Sequence, residues 1–60
     1  MNKIIIRQTI DHGGYAVLLN GVCIHIIPKD SHDPERNARY HAQQLAIALG
    51  IPFHKINTEP

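Results

Sequence analysis

The sequence has little of what disulfide-stabilised, secreted or membrane proteins depend on. Its 60 residues include one cysteine and no tryptophan, and one cysteine cannot form an internal disulfide, which fits a reducing compartment. The apolar run Ile4 to Ile6 is far shorter than the roughly 7 to 15 residues of a signal-peptide core or the roughly 20 of a membrane span. We therefore expect a cytoplasmic protein with no membrane partner, built as one small domain over residues 1–60.

Charge of either sign is sparse and scattered along the chain. Six Lys and Arg residues against five Asp and Glu give a formal net charge of +1, and no basic block is present. Domains that bind nucleic acid usually concentrate positive charge on one face, because counterion release from phosphate supplies most of the non-specific affinity. Nucleic-acid binding is therefore the second interpretation, and the residues available for it are Arg7, Lys29, Arg36 and Arg39.

The clearest structural signal is Asn20-Gly21 between two apolar runs. A type I′ hairpin turn needs positive φ at both central residues, and these two residue types tolerate it. A two-residue loop also predicts the register of the two strands. The pairs predicted on one face are Leu19 with Val22, Val17 with Ile24 and Tyr15 with Ile26, and the other face holds Leu18 with Cys23, Ala16 with His25, and Ile27 beyond them.

Two further segments show regular periodicity. Lys3 to Ile10 alternates as a strand does, which predicts a core side formed by Ile4, Ile6, Gln8 and Ile10. A helix should begin at Asp33-Pro34, where the Asp side chain can accept from unpaired backbone N–H groups, and end at Gly50. The apolar stripe expected to pack on the sheet consists of Ala38, Ala42, Leu45, Ala46 and Leu49.

The predicted fold is α+β: a three-stranded antiparallel sheet in the order β-β-β-α, with one helix packed on one face. Phe53 to Ile56 fits either a short fourth strand, reached by a right-handed crossover through the helix, or an apolar hook under the helix end. We favour the strand. Residues 57–60 should form a frayed tail.

Sequence signals for chemistry are weak. Cys23 and His25 are two apart on a strand and should point the same way, but a zinc site needs three or four ligands at recognisable spacing, and no such motif is present. A Cys-His nucleophile pair would also need an orienting group and a concave site. The pair Gly13-Gly14 is followed by no helix and by no Lys-Ser or Lys-Thr dipeptide. It therefore indicates a hairpin turn rather than a phosphate-binding loop. We expect no enzymatic activity, no metal and no cofactor.

The order of three strands and a helix over Ile4 to Leu49 resembles the arm-binding domains of phage-type tyrosine integrases, in which a sheet face enters the major groove. The resemblance lies in element order alone, and it implies DNA contact by the face that holds Ile5, Arg7, Thr9, Ala16, Leu18, Cys23, His25 and Ile27. A groove offers base edges and phosphates that need several hydrogen-bond donors. One arginine among apolar side chains provides few of them.

One helix can cover only one face of a sheet, and here the uncovered face is predicted to be apolar. Contiguous exposed apolar patches usually mark association, and pairing two such faces would bury area that a chain of this length lacks. We therefore expect a non-catalytic, homodimeric interaction module that binds and modulates a protein partner, of the kind found among phage and mobile-element regulators and inhibitors. On the outer side of the helix, Tyr40 and Ile47 either meet that partner or touch the C-terminal tail. The predicted partner or dimer interface consists of Ile5, Ala16, Leu18, Cys23, His25, Ile27, Tyr40 and Ile47.

Overall fold

The computed structural model describes residues 2–10 and 13–59. In chain order, the elements are β1 (Ile4–Gln8), β2 (Tyr15–Leu19), β3 (Val22–Ile27), α1 (Pro34–Leu49), a 3-10 turn (Phe53–Lys55) and β4 (Ile56–Glu59). The four strands form one sheet in the order β3-β2-β1-β4. The β1–β2 and β2–β3 pairs are antiparallel, and β4 runs parallel to β1. The predicted α+β fold, with one helix on the sheet and a fourth C-terminal strand, is confirmed.

The β2–β3 hairpin turns at the predicted pair of residues. Asn20 has φ 53° and Gly21 has φ 84°, the positive values that a type I′ turn requires. Asn20 also joins the turn to the start of the first strand, because its Oδ1 accepts from the Lys3 N–H at 2.8 Å and its own N–H donates to the Lys3 carbonyl at 2.8 Å. Two hydrogen bonds between Asn20 and Lys3 therefore hold the turn against the start of β1.

A β-bulge changes the register of this hairpin beyond its second pair. Leu19 pairs with Val22 and Leu18 with Cys23, as predicted. Next, Val17 lies opposite His25 instead of the predicted Ile24, which is the extra residue. A bulge places two residues of one strand against one residue of the other, so every later side chain exchanges faces. The predicted pairing of Tyr15 with Ile26 and of Ala16 with His25 is wrong: Tyr15 lies opposite Ile27, and Ala16 opposite Ile26.

The core lies between one sheet face and α1. Its largest side chains, all 2% exposed or less, are Ile4, Ile6, Val17 and Ile27. The helix contributes Ala38, Ala42 and Ala46, each fully buried, and such small side chains let a helix lie close to the strands. Several residues predicted on the core side lie outside this core, among them Val22, Ile24 and Ile26, which are exposed. Ile10 is 96% exposed because β1 ends at Gln8, and Leu49 is exposed at the last position of the helix.

The helix has the predicted ends. Asp33 adopts a left-handed conformation with φ 48°, and its side chain accepts from the Arg36 N–H at 3.4 Å. Pro34 occupies the first turn, where its missing N–H costs nothing. At the other end Gly50 is left-handed with φ 72°, and the Ile51 N–H donates to the Ala46 carbonyl at 2.8 Å. A helix end of this kind, with a left-handed glycine, provides hydrogen-bond donors for the last carbonyl groups of the helix, which have no intrahelical partner.

The fourth strand begins later than predicted. Phe53–Lys55 forms a 3-10 turn, and the strand covers Ile56–Glu59, so the fraying predicted for residues 57–60 is not found at 57–59, and Pro60 lies outside the described residues. The chain stays paired there because Arg7 lies opposite Glu59, and the Arg7 Nη2 is 2.8 Å from the Glu59 Oε1.

Candidate association surface

The sheet face turned away from α1, here called the open face, follows from the strand register. Side chains directly opposite one another share a face, and Ile4 and Ile6 define the helix side. Two neighbouring rows of side chains cross the open face from β4 to β3. The first row consists of Asn57, Ile5, Leu18 and Cys23, and the second consists of Glu59, Arg7, Ala16 and Ile26. The apolar part of the open face consists of Ile5, Ala16, Leu18, Cys23 and Ile26.

Exposure on this apolar part increases towards β3. Ile5 and Leu18, on the two inner strands, are each 6% exposed, whereas Ile26 on the edge strand is 61% exposed. Cys23, in the row before Ile26, is also exposed. The water-accessible apolar surface therefore lies along β3 rather than at the centre of the sheet.

The opposite margin of the open face is charged and internally paired. The Arg7 guanidinium donates from both Nε and Nη2 to the Glu59 Oε1, at 2.9 and 2.8 Å. Both side chains are about half exposed. This ion pair crosses from β1 to the edge strand β4, so the two edges of the sheet differ in chemistry: one is apolar and the other polar.

An open depression with a volume of about 600 Å³ lies at the end of the sheet where β1 and β3 end and β2 begins. Its lining residues are Arg7, Gln8, Thr9, Ile10, Gly14, Ala16, Ile26, Ile27, Pro28 and Lys29. Among these described lining residues there is no carboxylate, imidazole or thiol. The depression extends the apolar part of the open face towards Pro28.

Cys23 and His25 are not presented together, contrary to the sequence prediction. The bulge turns Cys23 to the open face and His25 to the helix side, where the His25 and His41 ring centroids are 4.1 Å apart. The Cys23 Sγ reaches only the backbone of His25, with its carbonyl oxygen at 3.7 Å. Within residues 2–10 and 13–59, no group of three or more His, Cys, Asp or Glu side chains is arranged to hold a metal ion.

The structure brings together four of the predicted interface residues and separates the others. Ile5, Ala16, Leu18 and Cys23 share the open face. His25 and Ile27 lie on the helix side, and Ile27 is 2% exposed because it belongs to the core. Tyr40 and Ile47 are exposed on α1, which covers the other side of the sheet, so they form a separate surface.

One residue of the apolar part of the open face was missed by the sequence interpretation. Ile26 was predicted to face the core opposite Tyr15, but it lies beside Ala16 on the open face. A signal for this exchange would have to mark the bulge. The run Ile24 to Ile27 offers none, because three of its four residues are isoleucines that suit either face equally well.

The four basic residues of the nucleic-acid interpretation do not form one surface. Arg7 lies on the open face in its ion pair with Glu59. Arg36 and Arg39 belong to α1 on the other side of the sheet, where Arg39 lines a small hollow with Phe53 and Ile56. Lys29 follows the end of β3. These four residues of a single chain therefore do not form the concentrated positive face that phosphate binding favours.

Comparisons with known proteins add no relative. No protein-family model, no curated protein and no solved structure matches the chain. In the part of the chain that the structure describes, α1 and the other helical segment are too short or too polar to cross a bilayer. Function is therefore inferred from the surfaces of this chain itself.

Proposed function

We propose that the protein is a non-catalytic interaction module that works as a homodimer in the cytoplasm and binds a protein partner, as a small regulator or inhibitor of the phage type does. The observation that carries this proposal is the apolar part of the open face. One helix protects one side of the sheet, and the other side exposes Ile26 and Cys23 next to a shallow apolar depression. Contiguous exposed patches of this kind usually mark association sites.

The small size of the core supports association. Nine of the described residues are buried hydrophobics and three of these are alanines, so little apolar area stabilises the single chain. A domain of about 60 residues buries only about 60% of the surface that its unfolded chain exposes. A second copy would add buried apolar area without any new element of structure.

The outer side of α1 offers a second, smaller contact for the protein partner. Tyr40 and Ile47 are 58% and 62% exposed, and they lie seven residues apart, which places them on one side of the helix. Exposed aromatic residues are enriched at protein interfaces because their rings bring a large contact area. In the homodimer this pair remains available to a different protein.

The test compares two lysine substitutions at equally exposed isoleucines. Ile26→Lys places a charge on the open face, whereas Ile47→Lys places it on α1, and neither side chain supports the fold of one chain. We expect light scattering to report a dimer for the wild type and Ile47→Lys, and a folded monomer for Ile26→Lys. If Ile26→Lys forms the same dimer as the wild type, the open face is not the association surface.

Nucleic-acid binding is the alternative function, and it can be tested with the same protein samples. Phosphate contacts give a log-linear loss of affinity with salt, and a mobility-shift titration on duplex DNA and RNA would detect it. We expect no shift at low salt, because Arg7 is paired with Glu59 and the helix arginines lie on the other side of the sheet. A salt-dependent shift that Arg36→Ala and Arg39→Ala abolish would favour the alternative over the protein-interaction module.

A further inference from the structure

The two edge strands of the sheet differ in how well they are protected against pairing. An edge strand leaves a row of backbone N–H and C=O groups free to pair with another chain, and proteins usually guard it with charge, proline or polar side chains. β4 has the sequence Ile-Asn-Thr-Glu and holds an ion pair. β3 has the sequence Val-Cys-Ile-His-Ile-Ile, without charged residues or proline. Three large hydrophobic residues on β3 are exposed, namely Val22, Ile24 and Ile26.

Backbone hydrogen bonds at the two ends of the β1–β2 pair indicate which β3 residues direct their backbone groups outwards. The Asn20 N–H donates to Lys3 and the Thr9 N–H donates to Gly14, so alternation along the antiparallel β1–β2 pair sends the backbone groups of Ala16 and Leu18 to β1. Those of Tyr15, Val17 and Leu19 then point to β3. The residues opposite Leu18 and Ala16, which are Cys23 and Ile26, therefore direct their N–H and C=O groups away from the sheet.

We propose that a second copy of this chain adds to the β3 edge, antiparallel, about a two-fold axis that passes between Ile24 and His25. This inference rests on the homodimer of the proposed function and places its contact at the β3 edge, beside the open face. In this register Cys23 lies opposite Ile26 of the partner subunit, and Ile26 lies opposite the partner's Cys23. Each such pair exchanges two backbone hydrogen bonds, which gives about four across the interface.

The bulge is what makes β3 complementary to itself. Because Ile24 is the extra residue, Cys23 and Ile26 are two rungs apart on the ladder although three residues apart in sequence. Hydrogen-bonded pairs in an antiparallel ladder recur at every second rung, so both outward-facing residues find a partner in the same register. β3 has no charged side chain, so no like charges oppose each other across the axis. These features favour a second copy over an unrelated peptide as the occupant.

Edge pairing also enlarges the apolar open face on which the proposed function depends. A two-fold axis normal to the sheet keeps both helices on one side and joins the two open faces into one eight-stranded face. Cys23 and Ile26, exposed in one chain, then lie beside their counterparts at the centre of that face. The dimer therefore presents a larger apolar surface to the protein partner than either chain alone.

Thiol cross-linking tests the register, because Cys23 is the only cysteine in the chain. The two Cys23 Cα atoms of the dimer would be offset by two rungs, which places them more than about 8 Å apart, beyond the roughly 7 Å that a disulfide can span. The Ile26→Cys substitution would introduce a thiol at position 26, and the Cα atom of that position would lie about 5.5 Å from the Cα atom of the partner subunit's Cys23. On oxidation we expect Ile26→Cys to become a covalent dimer, whereas the wild type, Ile47→Cys and the double variant Cys23→Ser/Ile26→Cys stay uncross-linked.

A proline substitution tests the edge without thiol chemistry. Proline is tolerated in an edge strand where the N–H points away from the sheet, so Cys23→Pro should leave the single chain folded and abolish the dimer. Pairing of two copies at the β3 edge is ruled out if the wild type is dimeric by light scattering but Ile26→Cys does not cross-link. It is also ruled out if the folded Cys23→Pro variant stays dimeric. In both of those cases the homodimer of the proposed function survives, whereas a monomeric wild type would remove both.

Discussion

Ile26 and Ile27 are adjacent in sequence and opposite in environment, with 61% of one exposed and 2% of the other. Ile27 lies opposite Tyr15 in the core cluster, and Ile26 lies beside Ala16 on the open face. Successive side chains of a strand point to opposite faces, and the bulge at Ile24 determines that Ile27 is the buried one. β3 therefore has one buried isoleucine that holds the chain together and one exposed isoleucine that is available to a partner.

The first prediction concerns the buried member of this pair. Ile27→Ala removes most of a side chain that contacts the core between β2 and α1, so the free energy of unfolding should fall by about 2 to 5 kcal/mol. Urea denaturation of the folded protein measures the loss. Ile47→Ala is the matched control, because its exposed side chain should change stability by about 0.5 kcal/mol or less. Equal losses for the two variants would contradict the placement of Ile27 in the core.

The second prediction concerns the close approach of Gly14 to β3. A Cβ added at Gly14 would lie 2.6 Å from the Ile27 carbonyl oxygen and 3.0 Å from the Thr9 Oγ1, so Gly14→Ala forces the end of β3 to move. The expected loss of stability is about 1 to 3 kcal/mol, as for other overpacked sites. Thermal unfolding checks it, with Gln44→Ala on the exposed side of α1 as the control. A Gly14→Ala variant as stable as the wild type would show that the strands do not approach so closely.

The third prediction concerns the start of α1. Asp33 both accepts from the Arg36 N–H and holds a left-handed conformation, and alanine does neither well. Asp33→Ala should therefore lower stability by about 1 to 2 kcal/mol. Asp33→Asn should recover most of this, because asparagine caps helices and tolerates positive φ. Chemical denaturation of the three proteins measures the difference, and an Asn variant as weak as the Ala variant would exclude the capping role.

The features that sequence reasoning predicted correctly depend on the chemistry of single residues. Asn20-Gly21 and Gly50 adopt the positive φ values that their residue types permit, and Asp33-Pro34 begins the helix as expected. These local signals act over a few residues and need no knowledge of the rest of the chain. The fold class followed from them, since one hairpin and one helix leave few ways to arrange the remaining strands.

The features that were predicted wrongly depend on contacts between distant residues. The two isoleucines are chemically identical, so the register of β3 against β2, which places Ile27 opposite Tyr15, decides that Ile27 rather than Ile26 enters the core. The start of β4 likewise depends on its pairing with β1, where Ile56 lies opposite Ile4. Sequence reasoning therefore identified four residues of the open face, Ile5, Ala16, Leu18 and Cys23, and missed Ile26, which is 61% exposed.

The central claim is that the chain associates with a second copy of itself along β3. The most direct test is the molar mass of the untagged wild-type protein, measured by light scattering over a micromolar concentration series. We predict a mass that rises to twice the 6.8 kDa of one chain and stays there. A folded protein that keeps the mass of one chain at every concentration would contradict the account.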